Sequence, residues 1–136
     1  MPAKILYIED EPMNVRLLHR MLKFSGYEVT VAETGIDGIY QAQRVQPDLI
    51  LLDLNLPDID GIEVARRIRQ QPSLTYVPIV VLSARSSLQA RREAFLAGCD
   101  SYITKPTSRV ELLRTLHQYL TYIYPAQADL EILEAS

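Results

Sequence analysis

Lys4-Ile5-Leu6-Tyr7-Ile8-Glu9-Asp10-Glu11-Pro12 begins as an apolar run and ends on three acids and a proline. The first five residues read as a buried strand, and Pro12 suits the first turn of a helix. Leu49-Ile50-Leu51-Leu52 is a second apolar run, and it ends on Asp53. Two further runs stop near Ser83 and near Lys105. In a parallel α/β sheet the carboxyl ends of all strands share one edge, where ligands bind. Acids, a hydroxyl and a lysine far apart in sequence would therefore meet at one site.

Strand and helix patterns alternate along the rest of the chain. A helix from Pro12 carries Val15, Leu18, Leu22 and Ser25 or Phe24 at helical spacing and closes at Gly26. A strand from Tyr27 to Ala32 follows. Thr34 caps the next helix, with Ile36, Ile39, Tyr40 and Gln43 along it. Pro47-Asp48 precede the Leu49–Leu52 strand. The loop after Asp53 carries Pro57 and Gly61 as turn punctuation. Ile62 to Arg69 reads as a helix with Val64, Ala65 and Ile68 inward. The strand Ile79–Leu82 stops at Ser83-Ala84. Ser87 to Ala97 is helical, with Leu88, Ala94, Phe95 and Ala97 available to pack. Ser101–Thr104 is a short strand. Thr107 or Ser108 caps a last helix carrying Val110, Leu113, Leu116, Leu120 and Ile123.

Five βα units with continuous Ile, Leu and Val strands predict a doubly wound, flavodoxin-like α/β fold. Its five parallel strands take the order 2-1-3-4-5, with helices on both faces. That order makes strands 1 and 3 neighbours and sets Asp10 beside Asp53 at a topological switch point. We expect one domain over residues 1–124 and a short acidic tail over 125–136. That tail reads as a linker stub or a segment without fixed structure.

Composition narrows the function. The 136 residues are 48% hydrophobic and 23% charged, as in ordinary globular proteins. With 14 basic and 17 acidic residues the net charge is −3, which disfavours a direct nucleic-acid partner. Arg66, Arg67 and Arg69 read as a solvated helix face. Cys99 is the single cysteine, so no internal disulfide forms, and it reads as a small buried side chain. No signal peptide and no apolar run near the roughly 20 residues of a membrane span is visible, so the expectation is a cytoplasmic protein without membrane contact.

Carboxylates on adjacent strand ends repel, and a bound cation relieves the repulsion. An oxygen-only donor set suits Mg²⁺ or Mn²⁺ better than zinc. Glu11 reads as a solvated loop charge, whereas Asp10 and Asp53 do not. A carboxylate such as Asp53 can attack phosphorus to give an aspartyl-phosphate. Lys105, the Ser83 hydroxyl and backbone N–H groups after Asp53 and at Ala84 could then stabilise the phosphoryl oxygens.

Four stretches carry a resemblance to a known family. They are Ile8-Glu9-Asp10-Glu11-Pro12, the run from Leu52 to Gly61, Val81-Leu82-Ser83-Ala84, and the run from Ala97 to Pro106. Together they resemble the receiver domains of two-component response regulators, the family of the bacterial chemotaxis regulator. The resemblance runs from Lys4 to about Ile123. It implies that Asp53 accepts a phosphoryl group from a phosphohistidine on a sensor histidine kinase or a histidine phosphotransfer protein. It implies that Glu9, through water, and Asp10 hold Mg²⁺ with Asp53, and that Asn55 adds its backbone carbonyl. Ser83 and Lys105 would contact the phosphoryl group, Tyr102 would turn inward as Ser83 moves, and the peptide between Lys105 and Pro106 would be cis. Asn55 and Arg85 would flank the path of the hydrolytic water.

The output surface implied by the family is the face of the fourth helix, fifth strand and fifth helix, with Arg91, Arg92, Tyr102 and Arg109 on it. Tyr119, Tyr122 and Tyr124 serve either an interface there or the packing of the helix end. The expected function is a phosphorylation switch for partner binding, and a homodimer formed on phosphorylation is one form of it. The alternative is a receiver module of a larger protein with an enzymatic or DNA-binding output. Two departures from the commoner pattern stand out: Glu9 where Asp is usual, and Ser83 where Thr is usual. A phosphatase of the haloacid dehalogenase type would need an acid at position 55, where this chain has Asn. A flavin carrier would need a hydroxyl-rich phosphate loop where this chain has Glu-Asp-Glu.

Overall fold

A computed structural model describes residues 2–120. The predicted tail, Tyr122, Ile123 and Tyr124 lie outside the described residues. In chain order the elements are β1 (Lys4–Ile8), α1 (Pro12–Phe24), β2 (Glu28–Ala32), α2 (Gly35–Val45), β3 (Leu49–Leu52), α3 (Gly61–Arg69), β4 (Ile79–Ser83), α4 (Leu88–Leu96), β5 (Ser101–Thr104) and α5 (Arg109–Leu120). A single 3₁₀ turn, Pro72–Leu74, follows α3. All strand pairs are parallel, in the order β2-β1-β3-β4-β5. This is the flavodoxin-like order expected from the sequence.

Alternation along the strands divides the core in two. Leu6, Ile8, Ile50, Leu52, Ile79 and Val81 face α2, α3 and α4. Ile5, Tyr7, Leu49, Leu51, Val80 and Leu82 face α1 and α5. Register then fixes the site. Ile8 pairs with Leu52, and Leu52 with Val81, so Glu9 and Asp53 leave adjacent strands together. The Asp53 N–H donates to the Ile8 carbonyl at 3.0 Å, which extends that ladder by one residue.

Several helix faces differ from the sequence reading. In α1 it is Ser25 that is buried, its hydroxyl donating to the Met21 carbonyl, while Phe24 is exposed. In α2, Ile36 and Tyr40 face outward, and Gly35, Gly38 and Ala42 face inward. The cause is close packing: a Cβ on Gly38 would stand 2.6 Å from Ile8 Cδ1. In α4 the buried residues are Ala90 and Ala94, while Leu88 and Phe95 are exposed. Tyr27 is buried but precedes β2, its N–H donating to the Leu22 carbonyl. Ser108 is the residue that caps α5, accepting from the Glu111 N–H at 3.0 Å.

Charged side chains near the ends of α1 and α3 also do more than face solvent. Glu11 is the N-cap of α1 and accepts from the Met13 N–H at 3.0 Å. Arg69 donates to the carbonyls of Gly98, Leu74 and Val77 and pairs with Asp100, so it ties α3 to the loop before β5. Arg66 and Arg67 both pair with Glu63. The three arginines are therefore not a free basic patch. Cys99 is buried as expected, and burial pushes its thiol up to about 12.

Gly61 opens α3 where the helix meets the end of β3. A Cβ there would lie 2.6 Å from both the Asp53 carbonyl oxygen and Leu54 Cα. Both obstacles are backbone, so no rotamer change relieves them. Gly61→Ala is predicted to lose about 1–3 kcal/mol, the usual cost of overpacking. Urea unfolding checks this, and an unchanged midpoint would contradict the close approach.

Candidate functional site

Glu9 and Asp53 are buried at the mouth of the sheet, and Asp10 is exposed beside them. One carboxylate oxygen from each of the three falls within 4.8 Å of the others. Lys105, just past β5, enters the cluster from the far side. Its Nζ lies 2.6 Å from Glu9 Oε1 and 3.6 Å from Asp53 Oδ2. Its position follows from the ladder, because its own N–H donates to the Ser83 carbonyl at 2.8 Å. The peptide between Lys105 and Pro106 is cis.

Glu9 is the more firmly held acid. It accepts from the Tyr7 hydroxyl at 3.2 Å, Asn14 Nδ2 at 3.3 Å and the Glu11 N–H at 3.4 Å, besides Lys105. Burial opposes its ionisation most strongly, but the hydrogen bond and charge of Lys105, the bond with Asp53 and the Glu11 N–H together hold its carboxyl below the ordinary value. Asp53 has the opposite balance. Burial, then the neighbouring Glu9, push its carboxyl up to about 6, against the pull of Lys105 and the Asn55 N–H. Burial and Glu9 likewise raise the Tyr7 hydroxyl, which keeps it a donor. Tyr7 and Asn14 were not among the sequence candidates. Tyr7 was findable, since it and Glu9 are two residues apart on a strand and share a face.

The next layer links the site to its loops. Asp53 Oδ1 accepts from the Asn55 N–H at 3.2 Å. The Asn55 side chain accepts from Arg85 Nε at 2.8 Å. Ser83 is fully buried at the end of β4, and its hydroxyl accepts from the Arg85 N–H at 3.3 Å. It does not cap α4, a role taken by Ser87. The Tyr102 hydroxyl donates to the Arg85 carbonyl at 2.7 Å. The Arg91 guanidinium lies over the Tyr102 ring, 4.9 Å from its centroid, and donates to Thr104 Oγ1.

Two acids that read only as loop residues have structural tasks. Asp58 accepts from the N–H groups of Gly35 and Ile36 at 2.7 and 2.8 Å, capping α2 from across the molecule. Asp60 caps α3, accepting from the Ile62 N–H at 2.9 Å, and pairs with Arg85 at 2.7 Å. Asp directly before a helix that starts on Gly is an N-cap signal for Asp60. Nothing local marks Asp58, because its partners lie more than twenty residues away.

The donors fit a hard divalent cation. They are all oxygens, they are close together, and a single ammonium opposes three carboxylates. A phosphoryl group needs the same surroundings: a carboxylate nucleophile, a lysine and a buried hydroxyl on one sheet edge.

Comparison with known proteins gives the family. The model for the response regulator receiver domain matches residues 5–117. The transcriptional regulatory protein TrcR of Mycobacterium tuberculosis is 39% identical over 119 residues, covering 88% of this chain but 46% of TrcR. The polar-differentiation response regulator DivK of Brucella anthropi is 30% identical over 120 residues, covering 88% of this chain and 98% of DivK. The chain thus spans about half of the first relative and nearly all of the second. Among solved structures, the receiver domain of the sensor histidine kinase PA1611 from Pseudomonas aeruginosa has a TM-score of 0.82 at 37% identity, with 88% and 98% of the two chains covered. That structure holds a magnesium ion coordinated in its active-site cleft. Chemotaxis protein CheY4 of Vibrio cholerae has a TM-score of 0.84 at 29% identity, with 88% and 100% covered.

The chain belongs to the response regulator receiver domain family. It is a signalling phosphoacceptor domain of two-component systems rather than a conventional enzyme, and its acidic cluster fits a Mg²⁺-dependent acceptor site. Among the described residues no helix is long and apolar enough to cross a membrane.

An acid whose folded pKa lies above its unfolded value costs stability wherever it is ionised, and the cost vanishes once both states are protonated. Asp53 is such an acid. In metal-free buffer at pH 7.5, Asp53→Asn is predicted to be about 1–2 kcal/mol more stable than the parent. Mg²⁺ is predicted to raise the parent's melting temperature more than the variant's. Thermal melts with EDTA and with Mg²⁺ check both. A variant less stable than the parent in EDTA would contradict the repulsion described here.

Proposed function

We propose that Asp53 is the phosphoryl acceptor, fed by a phosphohistidine on a sensor histidine kinase or a histidine phosphotransfer protein. The observation that carries this reading is the carboxylate cluster at the β1 and β3 ends with the Lys105 ammonium inside it. An Asp53 oxygen attacks phosphorus, the phosphorus–nitrogen bond to imidazole breaks, and the imidazole leaves with its electron pair. Glu9, Asp10, Asp53 and the Asn55 carbonyl are the residues that would hold Mg²⁺; when bound, the ion supplies positive charge to neutralise phosphoryl oxygens. Mn²⁺ fits the same oxygen donors.

The chain's own residues do the rest. Lys105 moves its charge from Glu9 to a phosphoryl oxygen, a short distance for a flexible ammonium. The Asn55 N–H already donates to Asp53 and remains a donor to the new group. Ser83 turns its hydroxyl from the Arg85 N–H to a phosphoryl oxygen. Because the Arg85 carbonyl is the acceptor for Tyr102, movement at Ser83 shifts the position that Tyr102 occupies. The face of α4, β5 and α5 carries this outward, and Leu88, Phe95 and Leu96 give α4 an exposed apolar surface for a protein target or a second copy. The receiver unit spans 1–124, with 125–136 as a separate tail, and acts in the cytoplasm. A receiver of a larger protein would use the same site.

Incubation with acetyl phosphate and Mg²⁺ is expected to add one phosphoryl group, read by intact mass. Asp53→Asn is expected to fold and to gain none. Labelling that persists in this variant would mean that another residue is the nucleophile. Lys105→Ala is expected to bind Mg²⁺ still, while losing the change at Tyr102 that follows phosphorylation.

A further inference from the structure

Three donors meet on one oxygen of Glu9. Its Oε1 accepts from Lys105 Nζ at 2.6 Å, from the Tyr7 hydroxyl at 3.2 Å and from Asn14 Nδ2 at 3.3 Å. Its Oε2 takes the longer bond from the Glu11 N–H at 3.4 Å. The Tyr7 ring is 1% exposed and packs in the core under α1 and α5, so its hydroxyl is held in place by the fold. Asn14 comes from the first turn of α1 and is half-buried. A hydroxyl donating to a carboxylate ordinarily stands at about 2.5–2.7 Å. At 3.2 Å the Tyr7 bond is slack, and the Lys105 ammonium holds the near place on the same oxygen.

We infer that Tyr7 is a positioning residue whose hydroxyl, with the Asn14 amide as second donor, takes over Glu9 Oε1 when Lys105 leaves it for a phosphoryl oxygen. The inference rests on Asp53 being the acceptor. Glu9 is 1% exposed, so little water can replace a departing ammonium. A buried carboxylate stripped of its donors is costly, and that cost would oppose the movement of Lys105. The two neutral donors already touch the oxygen and need only close on it. With the ammonium gone they face the full charge of the carboxylate, and their bonds shorten and strengthen. Glu9 then stays ionised and in place, and Lys105 is free to serve the phosphoryl group.

Tyr7→Phe removes the hydroxyl and keeps the ring in its packing. Beryllium fluoride is the probe, a stand-in for a phosphoryl group on a carboxylate oxygen. Its affinity at saturating Mg²⁺, and the affinity for Mg²⁺ alone, are measured by calorimetry on the full chain, with melts in EDTA to show each variant folded. Tyr7→Phe is expected to lower beryllium fluoride affinity about three- to tenfold more than Mg²⁺ affinity, part of what a hydrogen bond to a charged group contributes. Asn14→Ala carries the same test without touching the core, and a smaller split in the same direction is expected. Either donor can cover the oxygen when the other is missing. The double variant is therefore expected to lose more than the product of the two single losses. A merely structural role for Tyr7 would lower both affinities in proportion. Equal losses for the two ligands, or a double variant that only multiplies the single effects, would overturn the inference alone. A folded parent that binds no beryllium fluoride with Mg²⁺ present would overturn the acceptor reading and this inference together.

Discussion

The burial of Glu9 and Asp53 side by side is the constraint on which the rest depends. Like charges about 4 Å apart cost roughly 4 kcal/mol at an effective dielectric of 20. A domain of this size is stable by only about 5–15 kcal/mol, so the pair is a large local liability. Two features contain it. Lys105 bonds to the better-ionised acid, Glu9, and Glu9 gathers three further donors around it. Asp53 is left under-compensated, with a raised pKa and one backbone donor. The same imbalance makes Asp53 the member of the pair that gains most from an arriving cation.

The scaffold holds this pair by backbone geometry. The ladder from Ile8 and Leu52 brings the two acids together, and the bond from Lys105 N–H to the Ser83 carbonyl brings the lysine in. Helix caps then brace the loop beside Asp53. Asp58 ties it to α2, Asp60 ties it to α3, and Gly61 allows α3 to start against the Asp53 carbonyl. Within a few residues of Asp53 the chain is pinned to two helices. A change of charge at Asp53 therefore meets a braced loop on the β3 side.

The strands and the site acids were legible because their signals are local. Each strand is a short apolar run ended by a charged or hydroxylated residue, and parallel order gathers those ends. The helix faces were less legible. Hydrophobic spacing favoured Ile36 and Tyr40 in α2 and Leu88 and Phe95 in α4, yet the fully buried positions of these helices are Gly35, Gly38 and Ala42 and Ala90 and Ala94, with Ile39 packed beside them. The large apolar residues are displaced to the surface, and on α4 they build the exposed face. The long-range polar contacts were also hidden. Arg69 with Gly98, Asp58 with Gly35 and Arg85 with Asp60 each join residues more than twenty positions apart, and no periodicity records such a pairing.

A continuous set of bonds leads from Asp53 to the surface. Asp53 accepts from the Asn55 N–H, the Asn55 side chain accepts from Arg85, and the Arg85 carbonyl accepts from Tyr102, whose ring lies under Arg91 of α4. Continuity alone does not make a switch; a two-state element biased at one end does. Tyr102 is the element that the proposed function would bias. Its ring is partly buried and packs against the core on the α2, α3 and α4 side, and a hydroxyl bond to one carbonyl and a stacked guanidinium add to that packing. A hydrogen bond contributes about 1 kcal/mol net and an exposed cation–π contact about as much or less. On the proposed function, a new charge of about −1.5 to −2 at Asp53 would bias Tyr102 by changing the bonds of Ser83 and Lys105. On the function proposed for Asp53, the bonds through Asn55, Arg85 and Tyr102 to Arg91 are the route by which a local charge would be read at α4.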